Sequence, residues 1–149
     1  MTDEDDALEL FADGFGCSQA VLGAYAPALG LDFGTAMRLA APFSAPLCPD
    51  GLCGALSGAL MALSATCRSD CVTPAARADL RALTDELSDA FRARLGSLVC
   101  RDIVGCDLRT AAGLAEARKR CLITARCTPA VQVAVELLEA QLSRLASGT

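Results

Sequence analysis

The sequence predicts an all-α fold, a compact single-domain bundle of about five to seven helices. Ala and Leu supply 52 of the 149 residues, whereas Val and Ile supply 9, so helix-forming residues greatly outnumber the β-branched residues that favour strands. The length is that of one domain, because two domains would each have too small a core. Pro and Gly separate the apolar segments, and no linker or repeat divides residues 1–149.

The N-terminal segment predicts two helices. The first covers about residues 3 to 13, because Thr2 can cap it and the acidic residues that follow suit the positive end of a helix. Its apolar side would carry Leu8, Phe11 and Phe15. The second helix begins at Cys17 and closes at Gly30, and Pro27 is expected to kink it or end it early.

A proline-rich loop is predicted between a short helix near Thr35 to Leu39 and a central helix. The loop contains Cys48, and three prolines within eight residues exclude regular helix or central strand there: Pro42, Pro46 and Pro49. The central helix is expected to follow Asp50-Gly51, with Asp50 as its N-cap. A stripe of small residues would let another helix approach it closely. These residues are Gly54, Gly58 and Ala62.

Further helices are predicted in the C-terminal half. Thr73-Pro74 is typical of a helix start, and Ser97 is expected to cap a short helix that ends at Gly105. A weaker helix would cover about Thr110 to Ile123, and Thr128-Pro129 would open the last one. The inward positions of the two long helices are predicted to be Leu80, Leu83, Leu87, Phe91 and Leu95, then Val131, Val135, Leu138, Leu142 and Leu145.

Composition excludes several functions. The chain has no His and no Trp, so imidazole metal ligands and His-dependent catalytic triads cannot be built. A net charge of -5 and a single Tyr argue against nucleic acid as a partner. The longest apolar run, residues 53–66, is too short for a membrane span. The acidic residues 3–6 are unlike a secretory signal, so we expect a cytoplasmic protein.

The nine cysteines are the strongest indication of chemistry. In a reducing compartment a structural disulfide framework is not expected, which leaves metal binding, redox chemistry or simple burial. Four cysteines fall at predicted helix N-termini, where the unpaired amides and the helix dipole favour a thiolate. They are Cys17 at the start of the second helix, Cys53 and Cys100 at the third positions after the Asp50 and Ser97 caps, and Cys127 directly before the Thr128 cap.

The other cysteines give weaker signals. Four residues separate Cys48 from Cys53, so Cys48 can join the same site through a tight loop. Cys67 and Cys71 lie near a predicted helix C-terminus, where the dipole opposes a thiolate, and we expect them to be inert. No CxxC motif occurs, which argues against a thioredoxin-type dithiol or a zinc ribbon.

Three segments carry a resemblance to a known family. They are residues 14–22, GFGCSQAVL; residues 53–59, CGALSGA; and residues 91–96, which lead to Cys100. With them the chain resembles the C-GCAxxG-C-C family of redox-active proteins. The resemblance implies Cys17, Cys53, Cys100 and Cys127 as the four family cysteines, with Cys121 as the alternative for the last. The family is often glycine-rich before the CGAxxG element, whereas residues 41–48 of this chain contain two prolines.

Three functions follow as alternatives. The first is a thiol-dependent oxidoreductase that acts on a redox partner protein, with Cys53 as the nucleophile and Cys17, Cys48 or Cys100 as the resolving cysteine. The second is a metalloprotein in which thiolates hold an iron–sulfur cluster, Zn or Cu(I). Its ligands would be Cys17, Cys53, Cys100 and Cys127. The third is a helical interaction module with buried, inert cysteines.

Overall fold

Most of the described chain is α-helical. The computed structural model describes residues 2–49, 51–67 and 69–148, and in these ranges it contains eight α-helices and no β-strand. The helices are α1 (Asp3–Ala12), α2 (Cys17–Leu29), α3 (Phe33–Ala40), α4 (Gly54–Thr66), α5 (Pro74–Leu95), α6 (Cys100–Val104), α7 (Ala111–Lys119) and α8 (Thr128–Ser147). A 3-10 turn, Ala41–Phe43, and a π-turn, Ile123–Cys127, complete the regular structure. The predicted all-α class is confirmed, with one helix more than expected.

Side-chain caps explain where several helices begin. Thr2 accepts a hydrogen bond from the Asp5 amide at 3.1 Å, and the Asp5 carboxylate accepts one from the Thr2 amide at 3.0 Å, so this pair forms a capping box. The Thr73 hydroxyl accepts a hydrogen bond from the Ala76 amide at 3.2 Å, which confirms the predicted start of α5. Gly30 closes α2 in a left-handed conformation with φ 68°, as predicted.

The central pair of the bundle is α2 and α4, with α1 and α8 packed around it. Close approach of α2 and α4 depends on Gly58, as the small-residue stripe predicted. A Cβ atom at Gly58 would lie 2.7 Å from the Ser18 carbonyl oxygen and 3.0 Å from the Val21 Cβ. Eight of the thirteen α4 residues are buried, so this helix forms the middle of the core.

α5 packs on α8 through the residues that the apolar periodicity selected. Phe91, Leu138 and Val135 have no exposed surface, and Leu87 has very little. The buried Gln141 amide group donates a hydrogen bond to the Leu83 carbonyl at 3.0 Å, which ties the two helices together.

Pro27 was expected to kink α2 or to end it early, and the helix continues past it to Leu29. Three sequence expectations about the helices are wrong. Leu145 is 45% exposed, because the last turns of α8 extend beyond the core. The helix predicted to reach Ile123 ends at Lys119, because the chain enters a left-handed turn at Cys121 with φ 54°.

The third wrong expectation concerns the capping residues near the cysteines. Ser97 does not cap α6. Val99 precedes that helix in extended backbone, and the Ser97 hydroxyl instead accepts a hydrogen bond from the Val99 amide at 3.0 Å and donates one to Asp102. The predicted cap Asp50 lies outside the described residues, and α4 begins at Gly54 with Cys53 itself as N-cap.

Membrane-spanning potential is limited to one bent pair of helices. Among the described helices, none is by itself both long enough and apolar enough to cross a bilayer. Ala111–Lys119 together with Ile123–Ser147 meets the requirement by length and composition, with a bend of 83° between the two parts.

Candidate functional site

Four cysteines from separate parts of the chain line one cavity of about 780 Å³ beside the start of α2. They are Cys17, Cys53, Cys100 and Cys127, the four selected from the sequence. Most of the remaining wall is apolar and comes from α1, the α2 start, α6, α7 and the π-turn. The larger apolar side chains on it are Leu8, Phe11, Phe15, Ile103, Val104, Leu108, Leu114 and Ile123.

Cys17 opens α2, as the sequence predicted. Gly16 is its N-cap, and the Gly16 amide donates a hydrogen bond to the Gln19 side-chain oxygen at 2.9 Å. The loop after α3 crosses directly above this turn, because a Cβ atom at Gly16 would lie 2.5 Å from the Ser44 Cβ. Only glycine fits at this crossing without a shift of the loop.

A single antiparallel bridge between Leu52 and Val99 brings Cys53 and Cys100 together. The Cys53 amide donates to the Leu98 carbonyl at 2.7 Å, and the Cys100 amide donates to the Gly51 carbonyl at 3.0 Å. Cys53 is therefore the N-cap of α4, and Cys100 is the first residue of α6. The predicted third positions are wrong by a few residues, because the bridge keeps the backbone extended up to each helix start.

Cys127 occupies a different local structure from the one predicted. Its backbone is helical, with φ -78° and ψ -37°, and the π-turn Ile123–Cys127 continues directly into α8. Thr128 is consequently the first α-helical residue and not an N-cap. The π-turn is a wide turn of a kind often found at functional sites. The Thr128-Pro129 signal therefore located the helix start but not the preceding turn.

Cys17 and Cys127 form a hydrogen-bonded thiol pair. The Cys17 thiol donates to the Cys127 sulfur, which raises the pKa of Cys17, and burial raises it further. The same hydrogen bond lowers the pKa of Cys127, although partial burial acts in the opposite direction. Cys127 is thus the member of the pair that favours the thiolate, and Cys17 holds the proton.

Burial has the largest effect on the pKa values of the other two cavity thiols, Cys53 and Cys100. It raises the pKa of Cys53 to about 11, although the nearby Leu56 and Ala55 amides lower it in part. Burial also raises the pKa of Cys100 to about 12, and negative charge on neighbouring cysteines adds to the shift. The expectation that helix position lowers these two pKa values is wrong, because desolvation outweighs the helix terminus.

The remaining cysteines lie off the cavity wall. Cys48 is buried in the proline-rich loop, close enough that its charge would raise the pKa of both Cys53 and Cys100. Cys67 and Cys71 interact with each other in the α4–α5 connection, and the α6–α7 loop contains Cys106. The alternative family cysteine, Cys121, is exposed.

Two serines that no sequence pattern singled out attach the proline-rich loop to the site. The buried Ser18 hydroxyl donates to the Ala40 carbonyl at 2.7 Å and also pairs with the Ser44 hydroxyl. The Ser44 hydroxyl accepts a hydrogen bond from the Ser18 amide at 2.9 Å. A serine next to Cys17 and another between two prolines give no pattern from which this pairing could be predicted.

The cavity thiols do not form a ready-made metal site. In the part of the chain that the structure describes, no three His, Cys, Asp or Glu side chains converge closely enough to hold a metal. All nine cysteines are thiols in this structure. The arrangement is that of a pair of interacting thiols with two more thiols on the same wall.

Comparison with known proteins assigns the family. The family model described as "Putative redox-active protein (C_GCAxxG_C_C)" matches residues 15–141, a range that contains all four cavity cysteines. No curated protein and no solved structure matches the chain. The match covers well over half of the 149 residues, so the chain belongs to the C_GCAxxG_C_C family.

Proposed function

We propose that the protein performs thiol–disulfide exchange through Cys127 and Cys17. The hydrogen bond from the Cys17 thiol to the Cys127 sulfur, on the wall of a cavity large enough for a substrate, is the observation that carries this proposal. A thiolate is the attacking species in disulfide exchange, and Cys127 is the cavity cysteine whose pKa is lowered. Family membership supports redox chemistry in general terms.

The exchange proceeds in two balanced steps. The Cys127 thiolate attacks one sulfur of a substrate disulfide, the substrate S–S bond breaks, and a mixed disulfide remains on Cys127. The substrate thiolate that leaves takes the proton of the Cys17 thiol. Cys17 then attacks the Cys127 sulfur and releases the second substrate sulfur as a thiolate, which is protonated from water. The substrate gains two electrons, and the Cys17–Cys127 disulfide is restored to two thiols by an external dithiol.

The roles of the other thiols follow from their protonation. The sequence favoured Cys53 as the nucleophile with Cys17, Cys48 or Cys100 resolving, and that assignment stays a prediction. With pKa values of about 11 and about 12, Cys53 and Cys100 are protonated at neutral pH, which argues against either as the first attacking group. Their place beside the reactive pair suits a second dithiol that exchanges with the first.

Acid-quenched disulfide trapping tests the proposal. The reduced protein is mixed with hydroxyethyl disulfide under nitrogen, quenched with acid, alkylated and mapped by mass spectrometry. We expect wild type to form a Cys17–Cys127 disulfide, and Cys17→Ser to stop at a mixed disulfide on Cys127. Cys127→Ser should lose the fast reaction, whereas the control Cys121→Ser should retain it, since Cys121 is exposed and lies off the cavity wall.

Two other outcomes would overturn the assignment. A first mixed disulfide on Cys53 would restore Cys53 as the nucleophile. Slow, equal reaction of all thiols would favour the interaction module with inert cysteines.

Metal binding is the second candidate, because four thiols line one cavity. It requires the four sulfurs to converge further than they do in this structure. Metal analysis and a visible spectrum of protein purified without oxygen test it directly. Stoichiometric iron with sulfide, or Zn or Cu lost in Cys53→Ser, would replace the exchange mechanism.

A further inference from the structure

The cavity has the size and lining of a small-molecule site. Its volume of about 780 Å³ falls in the range of small-ligand pockets, and its wall is mainly aliphatic and aromatic apart from the cysteines, two threonines and Arg118. A protein disulfide on an extended peptide would bring polar backbone groups onto this apolar wall, which would cost free energy. A compact aliphatic molecule fits the lining better.

The cavity wall carries a positive charge, which comes from a single arginine. Arg118 near the end of α7 is the only charged side chain among the described residues that line the cavity. It forms no ion pair among those found in the described parts of the chain. Its neighbour Arg120, in contrast, pairs with Glu116. In a chain of net charge -5, a lone cation on an apolar wall favours an anionic group on the ligand.

We propose that the cavity binds a small aliphatic carboxylate with Arg118 at its anionic end, and that the redox substrate is a disulfide carried on such a chain. This inference rests on the proposed function for its redox part. The carboxylate pairs with the guanidinium, the methylene groups contact Leu114, Ile103 and Phe11, and the disulfide faces the Cys127 thiolate. Exchange then proceeds as described above, so that the cyclic or linear disulfide leaves as two thiols and the Cys17–Cys127 disulfide forms. Re-reduction again uses an external dithiol.

Calorimetric titration with octanoate tests binding separately from chemistry. Octanoate has the aliphatic chain and the carboxylate but no disulfide, so it reports on the cavity alone. We expect one site in wild type, about tenfold weaker binding in Arg118→Gln, and unchanged binding in Arg120→Gln. Octanamide, which lacks the charge, should bind wild type and Arg118→Gln equally.

Disulfide kinetics test the redox part. Oxidised lipoate carries a carboxylate on an aliphatic chain with a cyclic disulfide, and hydroxyethyl disulfide is small and neutral. Arg118→Gln should lower the ratio of the lipoate rate to the hydroxyethyl disulfide rate about tenfold, because only lipoate carries the carboxylate. The Arg120→Gln variant should match wild type with both.

The two ways to fail are distinguishable. If hydroxyethyl disulfide forms the Cys17–Cys127 disulfide but octanoate does not bind, the substrate class is wrong and the proposed function stands. If octanoate binds through Arg118 but no disulfide reacts with Cys127, the redox function is wrong and the carboxylate site stands. Equal effects of Arg118→Gln and Arg120→Gln would reduce the role of Arg118 to general surface charge and overturn the inference.

Discussion

The bundle centre and the cavity wall are built in opposite ways. At the centre, α2 and α4 meet through glycine and alanine, so their backbones approach closely and leave no room for extra atoms. On the cavity wall, α6 has five residues, α7 buries only Ala117, and a π-turn separates α7 from α8. One region therefore supplies stability and holds Cys17, while the other carries Arg118 and Cys127 on short, sparsely packed elements.

The largest difference between the two regions is expected in the free energy of amide hydrogen exchange. Eight of the thirteen α4 residues are buried, and the amides in the middle of this helix should exchange only through global unfolding, which for a domain costs about 5 to 15 kcal/mol. Amides of α7 should exchange through local opening at much lower free energy, because its surface is mostly exposed. Native-state exchange followed by mass spectrometry measures both. Equal protection of α4 and α7 would show that the cavity wall is an integral part of the core.

Overpacking the bundle centre should give the largest effect of a single substitution. Gly58→Ala places a Cβ atom 2.7 Å from the Ser18 carbonyl oxygen, so α2 and α4 must move apart. We expect a loss of about 2 to 3 kcal/mol in the free energy of unfolding, measured by urea denaturation. The control is Gly34→Ala on the surface of α3, where a new Cβ would meet only the ends of the Arg38 and Asp32 side chains. There the better helix propensity of Ala should leave stability unchanged or increase it by up to about 1 kcal/mol.

The next largest loss of stability is expected when the hydrogen bonds between Ser18 and the proline-rich loop are removed. Ser18→Ala removes the hydrogen bond to the Ala40 carbonyl and leaves the buried Ser44 hydroxyl with one partner fewer. We expect a loss of about 1 to 3 kcal/mol in unfolding free energy, together with faster proteolysis of the proline-rich loop. Ser57→Ala is the matched control, because Ser57 is buried and its hydroxyl bonds to the carbonyl of Cys53, one turn earlier, at 3.2 Å. An equal loss in both variants, with no change in the loop, would contradict the linking role.

How far the sequence could predict these regions depends on the range of the interactions. Local signals located the helices: the Thr2 and Thr73 caps, Gly30, and the apolar period that selected Phe91 and Leu138 are all confirmed. The Gly58 stripe also predicted the close α2–α4 approach, because small residues repeated along one face of an apolar helix are typical of close helix packing.

Local sequence signals could not predict which distant parts of the chain contact each other. The Leu52–Val99 bridge joins residues with no complementary pattern, and it moved Cys53 and Cys100 away from their predicted helix positions. The four cysteines could still be selected, because helix starts and family resemblance pointed to the same residues. Their protonation could not, because it depends on burial and on the contact between Cys17 and Cys127.

A substitution in the Cys17–Cys127 pair is expected to have a smaller effect, which changes the reactivity of Cys127 and not the stability of the fold. Cys17→Ala removes the hydrogen bond that lowers the pKa of Cys127, so that pKa should rise and the thiolate fraction at neutral pH should fall. The pH dependence of iodoacetamide alkylation at Cys127 measures this, with the alkylation curve moving to higher pH. Cys17→Ser keeps an O–H donor and should recover most of the wild-type profile. If Ala and Ser at position 17 gave the same profile, the hydrogen bond would not control Cys127.

The smallest effect concerns a carboxylate on the bundle side, where α1 meets α8. Burial raises the pKa of Glu139, and the negative charges of Asp3, Glu4 and Glu136 raise it further. A raised carboxyl pKa in the folded state means that ionisation opposes folding, so this cost is absent below the unfolded pKa and fully present above the folded one. Glu139→Gln should therefore stabilise the protein at pH 7 by less than about 1 kcal/mol and lose that advantage as the pH falls below about 4. Glu136→Gln is the control with the opposite sign, because Glu136 forms an ion pair with Arg94 at 3.0 Å. Urea denaturation of both variants at the two pH values measures this. A gain for Glu139→Gln at pH 7 that disappears at low pH indicates a cost of ionising Glu139 in the folded state, whereas an equal gain for both variants at pH 7 would indicate a general benefit of removing one negative charge from an acidic chain.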